Sequence, residues 1–546
     1  MKYFRYLCAL VLGFVIFVKC SDNSIQVDLL VKNAHILNSD GEFIGDFLAI
    51  NKGKFEYVGV FDKHSEKYTA DSVIDCSGNY IYAGFHDGHC HFYGLGKNII
   101  AYAELGNCSS FKEVINIVKK HGSDVQSGWI LGRGWDQNNW KDKKFPTKHM
   151  LDSIFPERPV MLTRVDGHAV LANAKALKLS GIDSTSSIEG GEIEIRNGKL
   201  TGILLDVAAD SIKATAEVES SEFVERALLA AQDTCFKYGL VCVTDAGLDY
   251  SHIDIIDSLQ EVGKLKIKIN AMINPEEKNY KRYLYNGGVD KQKLRVKTIK
   301  LYADGALGSR GAKLTNPYSD DSLSTGILTI SPEDIDNACK LAYDHNFQVA
   351  CHAIGDSANR FVLNHYSKYL KDTNDRRWRI EHAQIVDPND YAMFQDYSII
   401  PSMQTCHATS DMEWAETRLG HRIDWAYQTN KLLGFHKWFI NGTDCPVESI
   451  NPMYNIYAAI TRKSLKPSVE WKIGEDQAID ISTAIKSLTE WPAKGAFWEN
   501  KTGRIEKGMD ADFIVFKKNL FDLSPEQMIK ITPEETWIDG EMVYSK

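Results

Sequence analysis

The first feature of this sequence that suggests chemistry is a pair of histidines two residues apart. His89 and His91 end the run YIYAGFHDGHCHF, whose first half is apolar. Side chains at positions i and i+2 of a strand point to the same face, so both imidazoles would face one site. Imidazole nitrogens are ligands for zinc and related divalent metals. The alternative for so short a motif is a pair of surface histidines, but its position after an apolar strand favours a metal site.

A lysine in a second apolar run suggests an unusual ligand. In TIKLYADGALGSRGA, Lys300 shares a strand face with Thr298, Tyr302 and Asp304, while the apolar residues share the other face. Burial lowers the pKa of a lysine and favours the neutral amine. Because a neutral amine can react with carbon dioxide, Lys300 could carry a carbamate whose oxygens bind metal. The alternative is a buried lysine paired with Asp304.

Four further candidates follow other apolar runs. His352 lies in FQVACHAIGD, His382 ends the strand pattern of RWRIEHAQ, and Asp444 follows a strand and a glycine turn in KWFINGTDCPVES. His407 follows another strand end in PSMQTCHATSD. Taken alone, His352 is more typical of a hydrogen-bonded core histidine. The order HxH, Lys, His, His, Asp at successive strand ends is what indicates a site for a divalent metal.

The middle of the chain has the elements needed to bring these residues together. Helical patterns alternate with apolar strand patterns, as in FVERALLAAQDTCFKYG before LVCVTDAG and PEDIDNACKLAYDHN before FQVACHAIG. This alternation predicts an α/β fold with a parallel sheet. Over roughly 400 residues the predicted architecture is a (β/α)8 TIM barrel, whose active site lies at the carboxyl ends of the strands.

Both ends of the chain contain short strand patterns separated by glycine turns. We predict that residues 21–82 and 488–546 form the two parts of one small β-sandwich, since the termini of a domain often lie close together. Residues 83–487 are then the barrel, with an insertion at about 107–215.

The predicted insertion supplies candidates for substrate binding. Trp135 lies in GWILGRGWDQNNW, and Asp166 and His168 lie in RPVMLTRVDGHAVLAN. These side chains are expected to contact substrate above the barrel mouth, together with His407. The alternatives are that Trp135 packs the insertion against the barrel and that Asp166 caps a local turn.

The N-terminus is predicted to be a targeting segment. Lys2 and Arg5 precede an apolar run that is shorter than the about 20 residues of a bilayer-spanning helix and is typical of a secretory signal. Residues 1–20 therefore form a signal or lipoprotein-type segment. Cys20 resembles a lipidation site, but Lys19 stands where a small residue is usual, so simple cleavage or an uncleaved anchor remain alternatives. We expect an exported protein, either periplasmic or a membrane-anchored lipoprotein.

The composition limits the class of partner. There are 63 Lys and Arg against 73 Asp and Glu, a net charge of −10, so no global basic excess favours nucleic acid. A hydrophobic content of 44% and a charged content of 25% are those of a globular protein and exclude a disordered, collagenous or coiled-coil chain. We expect a small-molecule substrate, a homodimer, and contact with a membrane only through the N-terminal segment. The 11 cysteines contain no CxxC pair and are predicted to be small buried residues.

These motifs resemble those of the amidohydrolase superfamily of metal-dependent hydrolases. GFHDGHCHF resembles the family's first-strand motif and INGTDCPV its last. The strings IKLYADGALGSRGA, ACHAIGDSAN and RRWRIEHAQIV are similar to the branch that contains N-substituted formamide deformylase and exoenzyme-regulatory-type proteins, and the likeness extends from residue 27 to 546. Ala83 departs from the family pattern, where proline is usual, and affects a turn rather than a ligand.

The resemblance implies one or two divalent ions, with zinc as the expected metal, and a sandwich formed from both chain ends. It implies metal ligands at His89, His91, Lys300 as its carbamate, His352, His382 and Asp444, the last also as proton carrier.

The predicted function is hydrolysis of a carbon–nitrogen bond of the amide type, in an N-formyl or N-acyl compound, by metal-activated water. The alternatives are a deaminase or an isomerase of the same superfamily, or a non-catalytic binding protein on the barrel scaffold. Lys300 argues against a deaminase, because such sites usually have His or Glu on that strand. The complete ligand set argues against a non-catalytic protein.

Overall fold

The computed structural model describes residues 24–546, apart from 107, 125–127, 138–139, 165–168, 189–190, 217–219, 467–468 and 470. The strands of this part are β1 Ile25–Lys32, β2 His35–Leu37, β3 Phe43–Gly45, β4 Phe47–Asn51, β5 Lys54–Gly59, β6 Tyr68–Asp75, β7 Tyr80–Ala83, β8 Phe85–Cys90, β9 Tyr102–Glu104, β10 Ile130–Trp135, β11 Val160–Arg164, β12 Ala169–Ala172, β13 Gly191–Arg196, β14 Lys199–Asp206, β15 Leu240–Leu248, β16 Lys268–Ile273, β17 Val289–Asp290, β18 Leu294–Tyr302, β19 Gln348–Ala353, β20 Arg379–His382, β21 Ile400–Met403, β22 Ile440–Asn441, β23 Phe513–Phe516, β24 Glu535–Ile538 and β25 Glu541–Ser545.

The α-helices of the same part alternate with the strands of the barrel region. They are α1 Phe92–Ala101, α2 Phe111–Asp124, α3 His149–Ile154, α4 Ala174–Leu179, α5 Val207–Ala216, α6 Ser221–Lys237, α7 Tyr250–Glu261, α8 Glu277–Asn279, α9 Pro332–Asp344, α10 Asp356–Tyr366, α11 Tyr391–Asp396, α12 Thr405–Asp411, α13 Ala415–Leu419, α14 Thr429–His436, α15 Pro452–Thr461, α16 Ile481–Lys486, α17 Glu490–Gly495 and α18 Pro525–Met528.

Eight strands form a nearly closed parallel barrel. Their order is β22-β21-β20-β19-β18-β16-β15-β8, and each neighbouring pair is parallel. The two ends of the sheet meet where the backbone N–H of Asp444, just after β22, donates to the carbonyl of His89 in β8 at 2.7 Å. The predicted (β/α)8 TIM barrel is confirmed.

The side chains of β18 show how the barrel sorts residues between its two faces. Ile299 and Leu301 are buried in the apolar core that the strands share with the outer helices. Lys300 lies between them on the opposite, inward face, as strand alternation requires. One covering helix, α9, begins with Ser331 as N-cap, whose hydroxyl accepts the N–H of Asp334 at 3.1 Å.

Two further sheets form the predicted β-sandwich. One has the order β5-β4-β1-β6, and the other, β25-β24-β23-β7-β2-β3, joins strands from both ends of the chain. In the second sheet Ile81 of β7 pairs with Val515 of β23. An apolar core lies between the sheets and includes Leu48, Phe513 and Trp537. The rings of Phe513 and Trp537 stack with their centroids 5.2 Å apart.

A six-stranded sheet lies outside both the barrel and the sandwich. Its order is β13-β14-β12-β11-β10-β9, and it falls between residues 102 and 206, within and slightly before the region predicted as an insertion. Apolar clusters on this sheet include Leu162 and Trp135 on one side and Met161 and Val170 on the other. The sheet therefore has its own core.

Among the described residues we find neither a membrane-spanning helix nor a disulfide. No helix there combines the length and the apolar character that crossing a bilayer requires. The nine cysteines of this part are free, and all are buried. The cysteines therefore fill small spaces in the core, as expected from their positions in apolar runs.

Candidate metal centre

The predicted ligands lie at the carboxyl ends of barrel strands. His89 is the next-to-last residue of β8, Lys300 is near the end of β18, and His352 is the next-to-last residue of β19. His382 ends β20, and Asp444 follows β22. Because the carboxyl ends of parallel barrel strands meet at one mouth, strands far apart in the chain bring these side chains together.

Asp444 lies at the centre of this group. Its Oδ1 is 3.2 Å from Nε2 of His89 and 3.3 Å from Nε2 of His91. Its Oδ2 is 3.9 Å from Nε2 of His407. The ring of His382 is 5.0 Å from that of His89, between centroids. Two sets of three ligand atoms, each within 4.8 Å of one another, therefore share this one carboxylate.

The imidazole nitrogens at this centre fit a divalent metal. Nε2 of His89, His352 and His407 is buried and makes no hydrogen bond of normal geometry with the described residues. The nearest carboxylate oxygens lie at 3.2 Å (Asp444, from His89), 3.4 Å (Asp304, from His352) and 3.9 Å (Asp444, from His407). Leaving a buried polar group unpaired costs about 1–3 kcal/mol. Imidazole nitrogens beside the Asp444 carboxylate are donors of the kind that zinc and similar ions take in proteins.

The model of the amidohydrolase family matches residues 72–544 of this chain. The chain belongs to the amidohydrolase family. It is therefore a hydrolase of the metal-dependent amidohydrolase superfamily, as the sequence motifs suggested.

Named relatives of this amidohydrolase cover nearly its whole length. It is 30% identical to YtcJ of Bacillus subtilis, named as a candidate amidohydrolase, over 91% of this chain and 95% of the relative. It is 22% identical to the N-substituted formamide deformylase of Arthrobacter pascens, over 95% and 98% of the two chains. A solved structure of a metal-dependent hydrolase from Pyrococcus horikoshii aligns with a TM-score of 0.78 and 25% identity, over 91% of this chain and 99% of the other.

A buried carboxylate fixes the orientation of His89 in this amidohydrolase. Nδ1 of His89 hydrogen-bonds to Oε2 of Glu381, which also accepts the Ser402 hydroxyl at 2.7 Å. The other oxygen, Oε1, accepts Nε–H of Arg379. Burial acts to raise the pKa of Glu381, but Arg379 and His89 outweigh it and hold that pKa below its ordinary value. An ionised Glu381 keeps the proton on Nδ1 of His89 and leaves Nε2 free for a metal.

Sequence reasoning did not identify Glu381, and a signal for it was present. Glu381 directly precedes His382 in the strand string RIEH, where a charged residue in an otherwise buried strand requires a partner. His382 has a similar support, since its Nδ1 donates to Oε1 of Gln404 at 2.6 Å.

Lys300 is buried without a counter-ion. It is 1% exposed, and none of the described carboxylates forms an ion pair with it. Burial lowers the pKa of Lys300, and the negative charges of Glu381 and Asp444 offset only part of this effect. The alternative of a Lys300–Asp304 pair is not formed, because Asp304 instead accepts backbone N–H groups. These belong to Lys313, Ile354 and Gly355, at 2.8 to 3.0 Å.

The electrostatics of the centre favour neutral His352 and His382 beside an ionised Asp444. For His89, burial and the Lys300 charge act to lower the pKa, but Glu381 and Asp444 outweigh them and raise it. Burial lowers the pKa of His352 to about 3 and that of His382 well below its ordinary value. Burial alone would raise the pKa of Asp444, but its contacts with His89 and His91 and the nearby His382 outweigh burial and hold that pKa well below the usual range. Neutral imidazole and ionised carboxylate are the forms that bind metals.

The predicted substrate-binding residues have different outcomes. His407, in α12, lies at the centre, with its ring parallel to that of His382 at 6.0 Å between centroids. Trp135 is 1% exposed in the core of the inserted sheet, where its indole N–H donates to the carbonyl of Leu162 at 2.8 Å. It packs the insertion, so we assign it no contact with substrate. Asp166 and His168 lie outside the described residues.

Proposed function

We propose that this amidohydrolase hydrolyses a carbon–nitrogen bond of the amide type, in an N-formyl or N-acyl amine, with zinc as its metal. The observation that carries the proposal is the Asp444 carboxylate, whose oxygens lie 3.2 to 3.9 Å from Nε2 of three histidines, His89, His91 and His407. The name of the deformylase from Arthrobacter pascens supports the choice of bond.

Six side chains would hold one or two metal ions. They are His89, His91, Lys300 as its carbamate, His352, His382 and Asp444. When bound, such a metal supplies Lewis-acid polarisation of the substrate carbonyl and increases the acidity of water. The buried, unpaired amine of Lys300 supports its role, since only a neutral amine forms a carbamate.

Asp444 would move the proton in the reaction. Its Oδ2 is not used by the contacts with His89 and His91, which involve Oδ1. Oδ2 would accept the proton of the attacking water and return it to the departing amine. Glu381 and Gln404 would keep two imidazoles in the tautomer with a free Nε2.

The test of the bond type is a screen of purified protein against N-formyl and N-acyl amines, with detection of released amine. We expect the protein to hydrolyse at least one such compound. This hydrolysis should stop after the metal is removed with a chelator. Release of ammonia from aminated heterocycles, with no release from amides, would instead establish the deaminase alternative.

Metal content is expected to be one to two equivalents of divalent ion per chain, mainly zinc. The unpaired imidazole nitrogens and the shared Asp444 carboxylate are the physical reason. Elemental analysis of protein purified without chelator measures this. Active protein that contains no divalent metal would contradict the proposal.

We also propose export, with a mature chain that begins at or near Cys20, because Lys2 and Arg5 flank a short apolar run. Mass spectrometry of the N-terminus, in a native membrane preparation and in the soluble fraction, should show that the residues before Cys20 are removed. Lipid attached to Cys20 is a separate result of the same measurement. A terminus at Met1 on soluble protein from inside the cell would contradict export.

A further inference from the structure

A small cavity lies beside His382 and His407 of the candidate metal centre. Its volume is about 10 Å³, which is room for one atom-sized occupant. It is lined by His382, Gln404, His407, Tyr427, Thr429 and Arg462, among others. His382 and His407 belong to the candidate metal centre, so an occupant of the cavity would lie next to it.

One wall of the cavity is a buried guanidinium without a carboxylate. Arg462 is 1% exposed, and its Nε and Nη2 donate to the carbonyls of Ile473 and Tyr427 at 2.9 and 3.2 Å. Its Nη1 is buried with no partner in the described part of the chain, where no carboxylate forms an ion pair with it. An isolated buried charge is costly unless an opposite charge compensates it.

Arg422 provides a contrast to Arg462, whose Nη1 is one of several buried guanidinium nitrogens without a partner among the described residues. Arg422 is also buried, but all three of its nitrogens donate to backbone carbonyls, at 2.6 to 3.1 Å. The protein therefore can saturate a buried guanidinium with its own backbone, but Arg462, which lines the cavity, keeps one nitrogen without such a partner.

Gln404 adds a second donor. Its Oε1 accepts the proton on Nδ1 of His382 at 2.6 Å, which fixes the amide so that the NH₂ group is directed elsewhere. That nitrogen, Nε2, is buried and has no partner among the described residues. Arg462 and Gln404 thus both line this small cavity, and each has one donor nitrogen without a partner in the described part of the chain.

We propose that this cavity is a binding site for one halide ion, chloride under ordinary salt conditions. A monatomic anion accepts from both Nη1 of Arg462 and Nε2 of Gln404 and compensates the guanidinium charge. A water molecule would accept from both donors but would leave that charge uncompensated. By polarising the Gln404 amide, the anion strengthens the hydrogen bond between Oε1 and His382 and so supports the metal centre through that histidine.

The site does not depend on the proposed reaction, so it can be tested directly by diffraction. Crystals grown in sodium bromide should give an anomalous peak at the bromine absorption edge in the cavity, within hydrogen-bond reach of Arg462 and Gln404. If electron density is present at that position but gives no anomalous signal after full exchange into bromide, the occupant is a water molecule and the proposal is overturned.

Thermal unfolding of the full protein provides the solution test. At constant ionic strength, replacing gluconate by chloride or bromide should raise Tm by about 1–3 °C and then saturate, as binding to one folded-state site requires. Arg462→Met should abolish this increment. The matched control Arg422→Met should lower Tm yet keep the increment.

Two further outcomes decide the proposal. An equal halide increment in Arg462→Met and in the unchanged protein would overturn it. If Arg462→Met does not fold, Gln404→Met provides the test, because it retains the guanidinium and removes the second donor. In that variant the halide concentration that gives half of the Tm increment should rise at least about threefold. An unchanged half-saturating concentration in that variant would count against the site.

Discussion

Replacing Lys300 by alanine is expected to remove bound metal and hydrolytic activity while the barrel stays folded. The lysine is buried on the inward face of β18 and has no ion pair among the described residues, so its removal leaves no charge without a partner. Replacing a residue that only supports a metal ligand typically reduces metal affinity about 10–100-fold, and the loss of a ligand itself should reduce it by more. Elemental analysis, circular dichroism and turnover of the best substrate from the screen measure the three parts of this prediction.

Lys268 provides the matched control. It is also fully buried in a barrel strand, but its Nζ contacts Asp512 at 2.6 Å and Asp539 at 2.7 Å. Burial acts to lower the pKa of Lys268, and the nearby aspartates outweigh it and raise that pKa. Lys268→Ala should therefore destabilise the protein by about 3–5 kcal/mol, because it leaves buried carboxylates unpaired, while the folded fraction keeps its metal.

The outcomes of the two lysine variants separate a ligand from a structural residue. Short carboxylates such as acetate are expected to restore part of the metal and activity of Lys300→Ala, since they can replace the carbamate oxygens. Normal metal content in Lys300→Ala would show that the lysine is not a ligand. Restoration by acetate in Lys268→Ala as well would show that the rescue is not specific.

The barrel and the directions of its ligands were predictable because both depend on local periodicity. Strand alternation placed Lys300 opposite Ile299 and Leu301, and it directed His89 and His91 to one site. Helix and strand periods alternate along the middle of the chain, which is sufficient to predict a parallel barrel.

The groups that support the ligands were not predictable in the same way. His89 and Glu381 are 292 residues apart, and they meet only because β8 and β20 place their ends at one mouth. Trp135 shows a second limit of prediction from sequence. An aromatic residue in a strand has the same sequence pattern whether it lines a pocket or packs a core. The structure places Trp135 in a core, with a bond to the Leu162 carbonyl 27 residues away, and its contact with substrate stays a prediction.

Replacing Asp444 by asparagine is expected to reduce kcat by about 10²–10⁴-fold, the range typical for loss of general-base catalysis. The amide keeps the shape of the side chain and one oxygen toward His89 and His91, so most of the metal should remain. It cannot accept a proton at the position of Oδ2. Measurements of kcat together with metal content by elemental analysis would distinguish this result from the Lys300 variant, in which both are lost.

A control for the aspartate-to-asparagine change is Asp336→Asn, on helix α9, where the carboxylate contacts Lys368 at 2.8 Å and His365 at 2.7 Å. That variant should keep both kcat and metal content, because its ion pairs lie outside the barrel mouth and are worth little to stability. Near-normal kcat in Asp444→Asn would refute proton transfer by Asp444. His407 would then be the next residue to test as the base, since its Nε2 is buried, unpaired in the described structure and 3.9 Å from Oδ2 of Asp444.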